Sequence, residues 1–294
     1  MVLFWMACGP PLTLASVNPD AEAVTQVSLD PPDHGIQIHM GPFEVLPYSE
    51  RYLCEIVQVP EAAEMKVGAL EHLSSASGHH FNAFALLIEP EKGERIGDCW
   101  ELWADVPMAL SSPVYASQTD SFQGSFPEGV AAEMPSEWLL LEYHMLNTTG
   151  EVAEAEVFLN AYEARTWEVL ANGLYGNNTD IHLEPGEREV VSTTCPIEVE
   201  MELFVLASHM HGLGERFEVL LDGELVYETE DWTAPELLMM SEDPLSLSPG
   251  DELEWRCHYN NDTDAVVRYG AESSDEMCML AGVYFPDQGF QVCR

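Results

Sequence analysis

From Ile36 onward, short runs alternate apolar and polar residues. The clearest are RYLCEIVQV (51–59), HHFNAFALLI (79–88), EWLLLEYHML (137–146), MELFVLAS (201–208), RFEVLLDGELVYE (216–228) and ELEWRCHY (252–259). A period of two puts successive side chains on opposite faces, which marks half-buried strands. Turn-forming residues separate the runs: Glu89-Pro90, Asn172-Gly173, Glu184-Pro185-Gly186, Asp222-Gly223 and Ser248-Pro249-Gly250. Asp222-Gly223, between FEVLL and ELVYE, predicts a two-residue hairpin. No long segment has helical periodicity. The pattern predicts an all-β protein of two consecutive antiparallel β-sandwich domains, jelly-roll-like in form. A boundary near 165–175 leaves two halves of ordinary domain size, read as 36–166 and 167–294. No internal repeat is visible. Asn147, Asn177 and Asn261 each begin an N-x-[ST] sequon and read as surface-loop residues.

Residues 1–35 fall outside this pattern. The first sixteen, MVLFWMACGPPLTLAS, are apolar and uncharged and read as the remnant of an export signal. Residues 17–35 are polar and contain prolines, as a tether does. Either Cys8 is lipidated after cleavage, anchoring the protein by its N-terminus, or cleavage falls near Ala15. Both place the protein outside the cytoplasm: secreted, periplasmic or lipid-anchored at the cell surface. No other stretch is long and apolar enough to span a membrane as a helix.

Charge narrows the partners. Ten Lys and Arg stand against 52 Asp and Glu, a net charge of −42. Such a surface repels phosphate backbones, and no basic patch offsets it, so nucleic acid is excluded. The acidic residues are spread along the chain, as on a solvated, strongly soluble surface. The same charge attracts cations, whether copper ions or amine substrates. A monomer is expected. Of the seven cysteines none forms a C-x-x-C pair, which argues against a zinc ribbon or a thioredoxin-like site. With Cys8 set aside, the remaining six suffice for three disulfides, as suits an oxidising compartment.

The candidate chemistry lies in histidines and one methionine. In Ser208-His209-Met210-His211 the two imidazoles stand at i and i+2, so a strand presents both on one face. An isolated H-x-H is as readily a surface pair. Met277, in Ser273-Ser274-Asp275-Glu276-Met277-Cys278, would ordinarily be core packing. Its neighbour Cys278 offers a disulfide to pin it, and its soft thioether favours Cu(I) over zinc or hard ions. Gly78-His79-His80 and Tyr143-His144 complete the set. Adjacent histidines on a regular strand face opposite ways, so His79 and His80 need a local bend to share an ion. Three histidines suit copper or zinc equally.

Taken in order, H-H, then H, then H-x-H, then SSDEMC resembles the copper type II, ascorbate-dependent monooxygenases, the family of the peptidylglycine α-hydroxylating and dopamine β-monooxygenases. Residues 178–214 resemble the family's stretch leading into its H-T-H-x-x-G motif, ESSDEMC its G-x-SSDEMC, and RYLC at 51–54 its aromatic-Cys strand. The likeness covers about residues 36–294. It implies two β-sandwich domains with one copper each. His79, His80 and His144 would hold the electron-transfer copper of an N-terminal domain (36–166). His209, His211 and Met277 would hold the copper of the C-terminal domain (167–294) that binds dioxygen and hydroxylates substrate, with the substrate in the cleft between domains. Ascorbate or a similar reductant supplies the electrons. The resemblance also pairs Cys54 with Cys99, Cys195 with Cys293 and Cys257 with Cys278, leaving Cys8 over.

The sequence departs from the family's peptide-amidating branch where that branch holds a substrate carboxylate. Ala207 replaces an Arg two residues before H-x-H, and Met279 and Ala281 replace an Asn and a Tyr after the ligand Met. Tyr52 is retained. A peptidylglycine substrate is therefore not expected. With Glu142 two residues before His144, a neutral or cationic small molecule is favoured over an anion. His34, His39, His72, His182 and His258 have no matched role, although His39 and His72 are candidates for nearness to the first copper. Two other readings compete: a copper-storage or delivery protein on the same scaffold, and an adhesion or carbohydrate-binding sandwich that retains only the fold. The complete ligand sets argue against the last.

Overall fold

A computed structural model describes residues 27–106, 110–270 and 274–293. The N-terminal segment with Cys8 lies outside the described residues. The expected all-β fold is found, and its strands follow the alternating runs. The chain divides into two compact units, 27–125 with 131–166, and 126–130 with 167–293.

In the first unit a five-stranded sheet forms from β1 (Ser49–Gln58), β2 (Gly78–Leu86), β3 (Arg95–Asp98), β4 (Ser111–Ser117) and β5 (Trp138–Asn147). Its order is β3-β1-β5-β2-β4, antiparallel throughout. A second sheet places Ala153–Glu163 between Gly35–Val45 and Lys66–Ser74. The core between them takes alternate residues, Leu139, Leu141, Tyr143 and Met145 from β5 and Phe81, Ala83 and Ala85 from β2. The outer face of β5 is covered as well. There Leu140 packs with Cys54, Ile56 and the helix α1 (Cys99–Asp105), which Asp98 caps by accepting from the Trp100 N–H. Burial on both faces is why 137–146 reads as nearly continuous apolar sequence.

In the second unit a four-stranded sheet has the order β6 (Arg188–Pro196), β7 (Glu252–Asn260), β8 (Gly214–Leu221), β9 (Glu224–Thr229). The last two are the hairpin predicted from Asp222-Gly223, with φ of 49° and 84° at the turn. Across the core, β10 (Cys278–Phe285) lies between β11 (Val169–Asn178) and β12 (Met201–His209). Trp255, Phe217, Tyr259, Leu206, Leu280 and Tyr284 fill the space between the sheets.

The two units repeat one design that the sequence conceals. In the first, β5 pairs His144 with Tyr52 on one side and His80 on the other. In the second, β7 pairs His258 with Val190 and Arg216 in the same way. Both right-hand neighbours carry a bulge at the same place, Gly78/His80 and Gly214/Arg216. Each central strand ends in the same clasp. Asn147 Nδ2 donates to the Glu151 carbonyl while Thr149 N–H donates to Asn147 Oδ1, and Asn261, Ala265 and Thr263 do likewise. Asn147 is 2% exposed and Asn261 0%. These two are therefore structural asparagines rather than the surface-loop residues expected from their sequons, and Asn177 lies half-buried in β11.

Candidate functional site

In the first unit the local bend required by His79-His80 is a β-bulge. Gly78 pairs with Met145 and His80 with the adjacent His144, so one extra residue is inserted opposite β5. A bulge re-aims consecutive side chains. The rings of His79, His80 and His144 converge, with centroids 5.5, 5.2 and 4.9 Å apart. A metal–imidazole bond of about 2.0–2.1 Å puts each centroid about 3 Å from an ion, so ligating rings sit about 5 Å apart. Three nitrogen donors at that spacing fit a borderline or soft transition metal. The rings are gathered rather than closed. Among the described residues, the group whose ligating atoms all lie within 4.8 Å of one another is Cys54, Cys99 and Glu142, whose cysteines are joined in a disulfide. Burial holds His144 at about 4, so its imidazole is neutral at pH 7 and keeps one ring nitrogen unprotonated for a metal.

Several neighbours support this cluster. Glu50 Oε2 lies 3.2 Å from His144 Nε2, a contact no motif flagged. Tyr52 sets its edge against His80 and His144, and its hydroxyl bonds to Glu142. His72 is 2% exposed and lines the same small cavity as His79 and His80. His39 instead pairs with Glu156 at 2.8 Å and stacks on Phe158.

Glu142 is not a surface acid that attracts cations. It is 4% exposed and accepts from Trp103 Nε1 and Asn82 Nδ2. Burial raises its pKa against these bonds. A carboxyl raised above its unfolded value stabilises the fold fully below that value and loses the contribution as pH rises. Glu142→Gln is thus expected to gain stability relative to the parent between pH 5 and pH 8, read as urea midpoints of the metal-free proteins. A constant difference across that range would remove the burial argument.

In the second unit His209 is the last residue of β12 and His211 lies just beyond, with ring centroids 5.1 Å apart. Met210 between them is 2% exposed and turns into the core. His211 Nδ1 lies 3.0 Å from the Asp275 carbonyl. A carbonyl only accepts, so Nδ1 carries the proton and Nε2 is left as the metal-binding nitrogen. Met277 is 2% exposed and packs with Tyr175, Met279 and Tyr269, while Met279 stands opposite His209 across the sheet.

What joins H-x-H to the SSDEMC segment is Glu276. It is 0% exposed, and its carboxylate accepts from the backbone N–H groups of His211 (3.0 Å), Leu213 (2.6 Å) and Met277 (3.3 Å). Burial pushes it up to about 7, and the three N–H bonds pull the other way. Tyr259 OH donates to the Met277 carbonyl, and Cys278 is bonded to Cys257. Met277 is therefore held from both neighbours and from beneath. The other disulfides are Cys54–Cys99 and Cys195–Cys293, which with Cys257–Cys278 are the pairs the family pattern implies.

Residues 168–294 match the C-terminal domain of the copper type II ascorbate-dependent monooxygenases. The second unit is thus similar to that domain of the family. Peptidyl-glycine alpha-amidating monooxygenases A and B of Xenopus laevis are 25% and 24% identical to it over 288 and 295 residues. Each alignment covers 92% of this chain but only 30% and 32% of the relative, so the chain spans about a third of the length of the curated relatives it matches. A solved structure of PNGF-II is similar at a TM-score of 0.36 and 9% identity, covering 88% of this chain and 66% of that one, too loose a likeness to bear on function.

The sheet of the second unit presents a mostly uncharged face beside His209. Across the sheet run two rows, Asn177–Met279–His209 and Tyr175–Ala281–Ala207. Ala281 is exposed and Ala207 half-buried. Among the described residues, this face beside the candidate metal ligands carries the methyl groups of Ala207 and Ala281 and no Lys or Arg in either row.

Proposed function

We propose that this chain is an exported copper monooxygenase that hydroxylates a C–H bond of a small neutral or cationic molecule. One oxygen atom of dioxygen enters the substrate and the other leaves as water, with two protons and two electrons supplied, the electrons one at a time by ascorbate or a similar reductant. Two copper ions would supply the one-electron chemistry and the oxygen-binding position when bound. His79, His80 and His144 would hold one, and His209, His211 and Met277 the other. The observation that carries the reading is the second cluster: two imidazoles at ligating separation, with the tautomer of His211 fixed by the Asp275 carbonyl and a soft thioether tied to them through Glu276. Donors held in place before an ion arrives lower the cost of assembling the site. The Ala207–Ala281 floor offers a carboxylate no cationic side chain to pair with, which favours substrates without one. Three disulfides suit an oxidising compartment. Export with either lipidation at Cys8 or cleavage near Ala15, and a monomeric state, belong to the same proposal.

Copper stoichiometry tests it. Two ions are expected per chain, falling to one in both His144→Ala and Met277→Ala. The loaded protein should consume oxygen with ascorbate and a substrate from a panel of amines and phenols. Tight binding of two coppers without oxygen consumption by any candidate would favour copper storage, and zinc at both sites would end the redox mechanism.

A further inference from the structure

Two residues on one face of β1 hold His144. Tyr52 stands directly opposite it on β5 and Glu50 stands opposite Leu146, so positions 50 and 52 share the face that carries the histidine. Tyr52 sets a ring edge against the imidazole, with centroids 5.6 Å apart, and Glu50 brings a carboxylate oxygen to 3.2 Å from Nε2. Glu142, on the same face of β5 as His144, is turned to Trp103, Asn82 and Tyr52 instead. The Glu50 side chain is 40% exposed and that of His144 only 5%. A polar contact made by so open a group adds little to the stability of a fold. It is poorly placed to hold the unit together and well placed to orient one buried ring.

Glu50 does not itself complete a ligand set. Among the described residues, no three His, Cys, Asp or Glu donor atoms that include its carboxylate lie within 4.8 Å of one another. It meets His144 at Nε2, and a ring nitrogen engaged by a carboxylate is not open to a metal. Nδ1 is then the nitrogen that binds. Once Nδ1 holds an ion, the one hydrogen of the neutral ring is on Nε2, and a carboxylate is the acceptor that strengthens such a ligand most.

We propose that Glu50 is a positioning residue of the first cluster: it accepts from His144 Nε2–H, fixes Nδ1 as the metal-binding nitrogen, and by its charge favours Cu(II) over Cu(I) in the ion held there. The proposal rests on the reading of His79, His80 and His144 as a copper site, but its first consequence is a property of the metal-free protein. A negative charge behind a ligating imidazole makes the ring a stronger donor and attracts a divalent ion more than a monovalent one. The same carboxylate lies within electrostatic reach of His79. The second cluster has a weaker counterpart, because His211 meets the Asp275 carbonyl, a neutral dipole. Glu50 therefore lowers the reduction potential of the first ion by a device the second lacks.

Nitrogen-15 NMR of the metal-free protein reads the His144 tautomer directly. The parent should show the Nε2–H form. Glu50→Leu should lose that preference with little change in the urea midpoint, and Glu50→Gln, whose Oε1 still accepts, should restore it. Copper titrations in a Met277→Ala background isolate the first site. There Glu50→Leu should weaken Cu(II) binding about 10–100-fold, as loss of a partner behind a metal ligand does. Glu50→Gln should bind more tightly than the leucine variant but, without the charge, show a higher Cu(II)/Cu(I) potential than the parent. A tenfold loss of Cu(II) binding relative to Cu(I) reads as about 59 mV. A parent ring protonated at Nδ1, or a Glu50→Leu protein that keeps the Nε2–H form or binds copper with the parent's affinity and potential, would overturn the proposal and leave the copper reading intact. A Glu50-dependent tautomer in a protein that takes up no copper at His79, His80 and His144 would end the copper reading, and with it the ligand role given to His144 and Glu50.

Discussion

Glu276→Ala is expected to destabilise the second unit by about 3–9 kcal/mol and to abolish the metal binding proposed at His209, His211 and Met277. Three backbone N–H groups, those of His211, Leu213 and Met277, lose their acceptor together. Glu276 is 0% exposed, so water does not readily replace it. Each donor stranded in a buried setting costs about 1–3 kcal/mol. The sum is a large part of the about 5–15 kcal/mol that holds a typical domain together. The functional loss follows from the same bonds. They connect the turn after β12 to the residue before Met277, and through it two parts of the chain some 65 residues apart. Glu276→Gln keeps one acceptor oxygen and should recover part of the stability. Urea unfolding of the metal-free variants and copper titration of the folded fraction give both numbers. An alanine variant as stable as the parent, with two coppers bound, would mean that the disulfide and Tyr259 hold the segment without Glu276.

The second large effect belongs to Gly78. A Cβ there would stand 2.1 Å from Ser74 Oγ, 2.5 Å from Tyr143 OH and 3.1 Å from the Ser75 carbonyl. Tyr143 cannot yield: it is 0% exposed, and its hydroxyl bonds to Ser74 Oγ at 2.8 Å and to the Glu156 carbonyl at 3.1 Å. Gly78→Ala should therefore push on the strand at its bulge, costing about 1–3 kcal/mol as overpacking does. The displaced residues are His79 and His80. Copper should fall from two ions to one, with the loss confined to the first cluster. Gly214 is the matching position in the second unit, but a Cβ there meets the side chain of Met210 at 2.9–3.0 Å. A methionine chain can move aside. Gly214→Ala should be the milder of the two, and equal effects would show that the clash at Tyr143 is relieved in some other way.

The outline of this protein was set by the sequence alone. Period-two alternation is a local property, so the strands, the all-β class and the Asp222-Gly223 hairpin could be read from it. Residue identity was local as well: SSDEMC with an upstream H-x-H pointed to the family, and Ala207 ruled out an arginine clamp for carboxylates. Tertiary structure decided whatever depends on register between distant strands. The sequence placed His79 and His80 on opposite faces, and only a bulge set by pairing with β5, more than 60 residues on, turns both toward His144. Glu142 was read, from its place two residues before His144, as favouring neutral or cationic substrates, and only the fold shows that Trp103 and Asn82 bond to it in the interior. Asn147 and Asn261 looked like loop sequons because their backbone partners lie across the fold. The repeat that relates His144 to His258 left only a short trace in residue identity, His-x-x-Asn-x-Thr at 144–149 and 258–263, since pairing constrains backbone geometry and leaves most outward-facing side chains free to differ. Periodicity and motif are carried by neighbours along the chain, whereas the site's convergence is carried by hydrogen bonds between segments that the sequence keeps far apart.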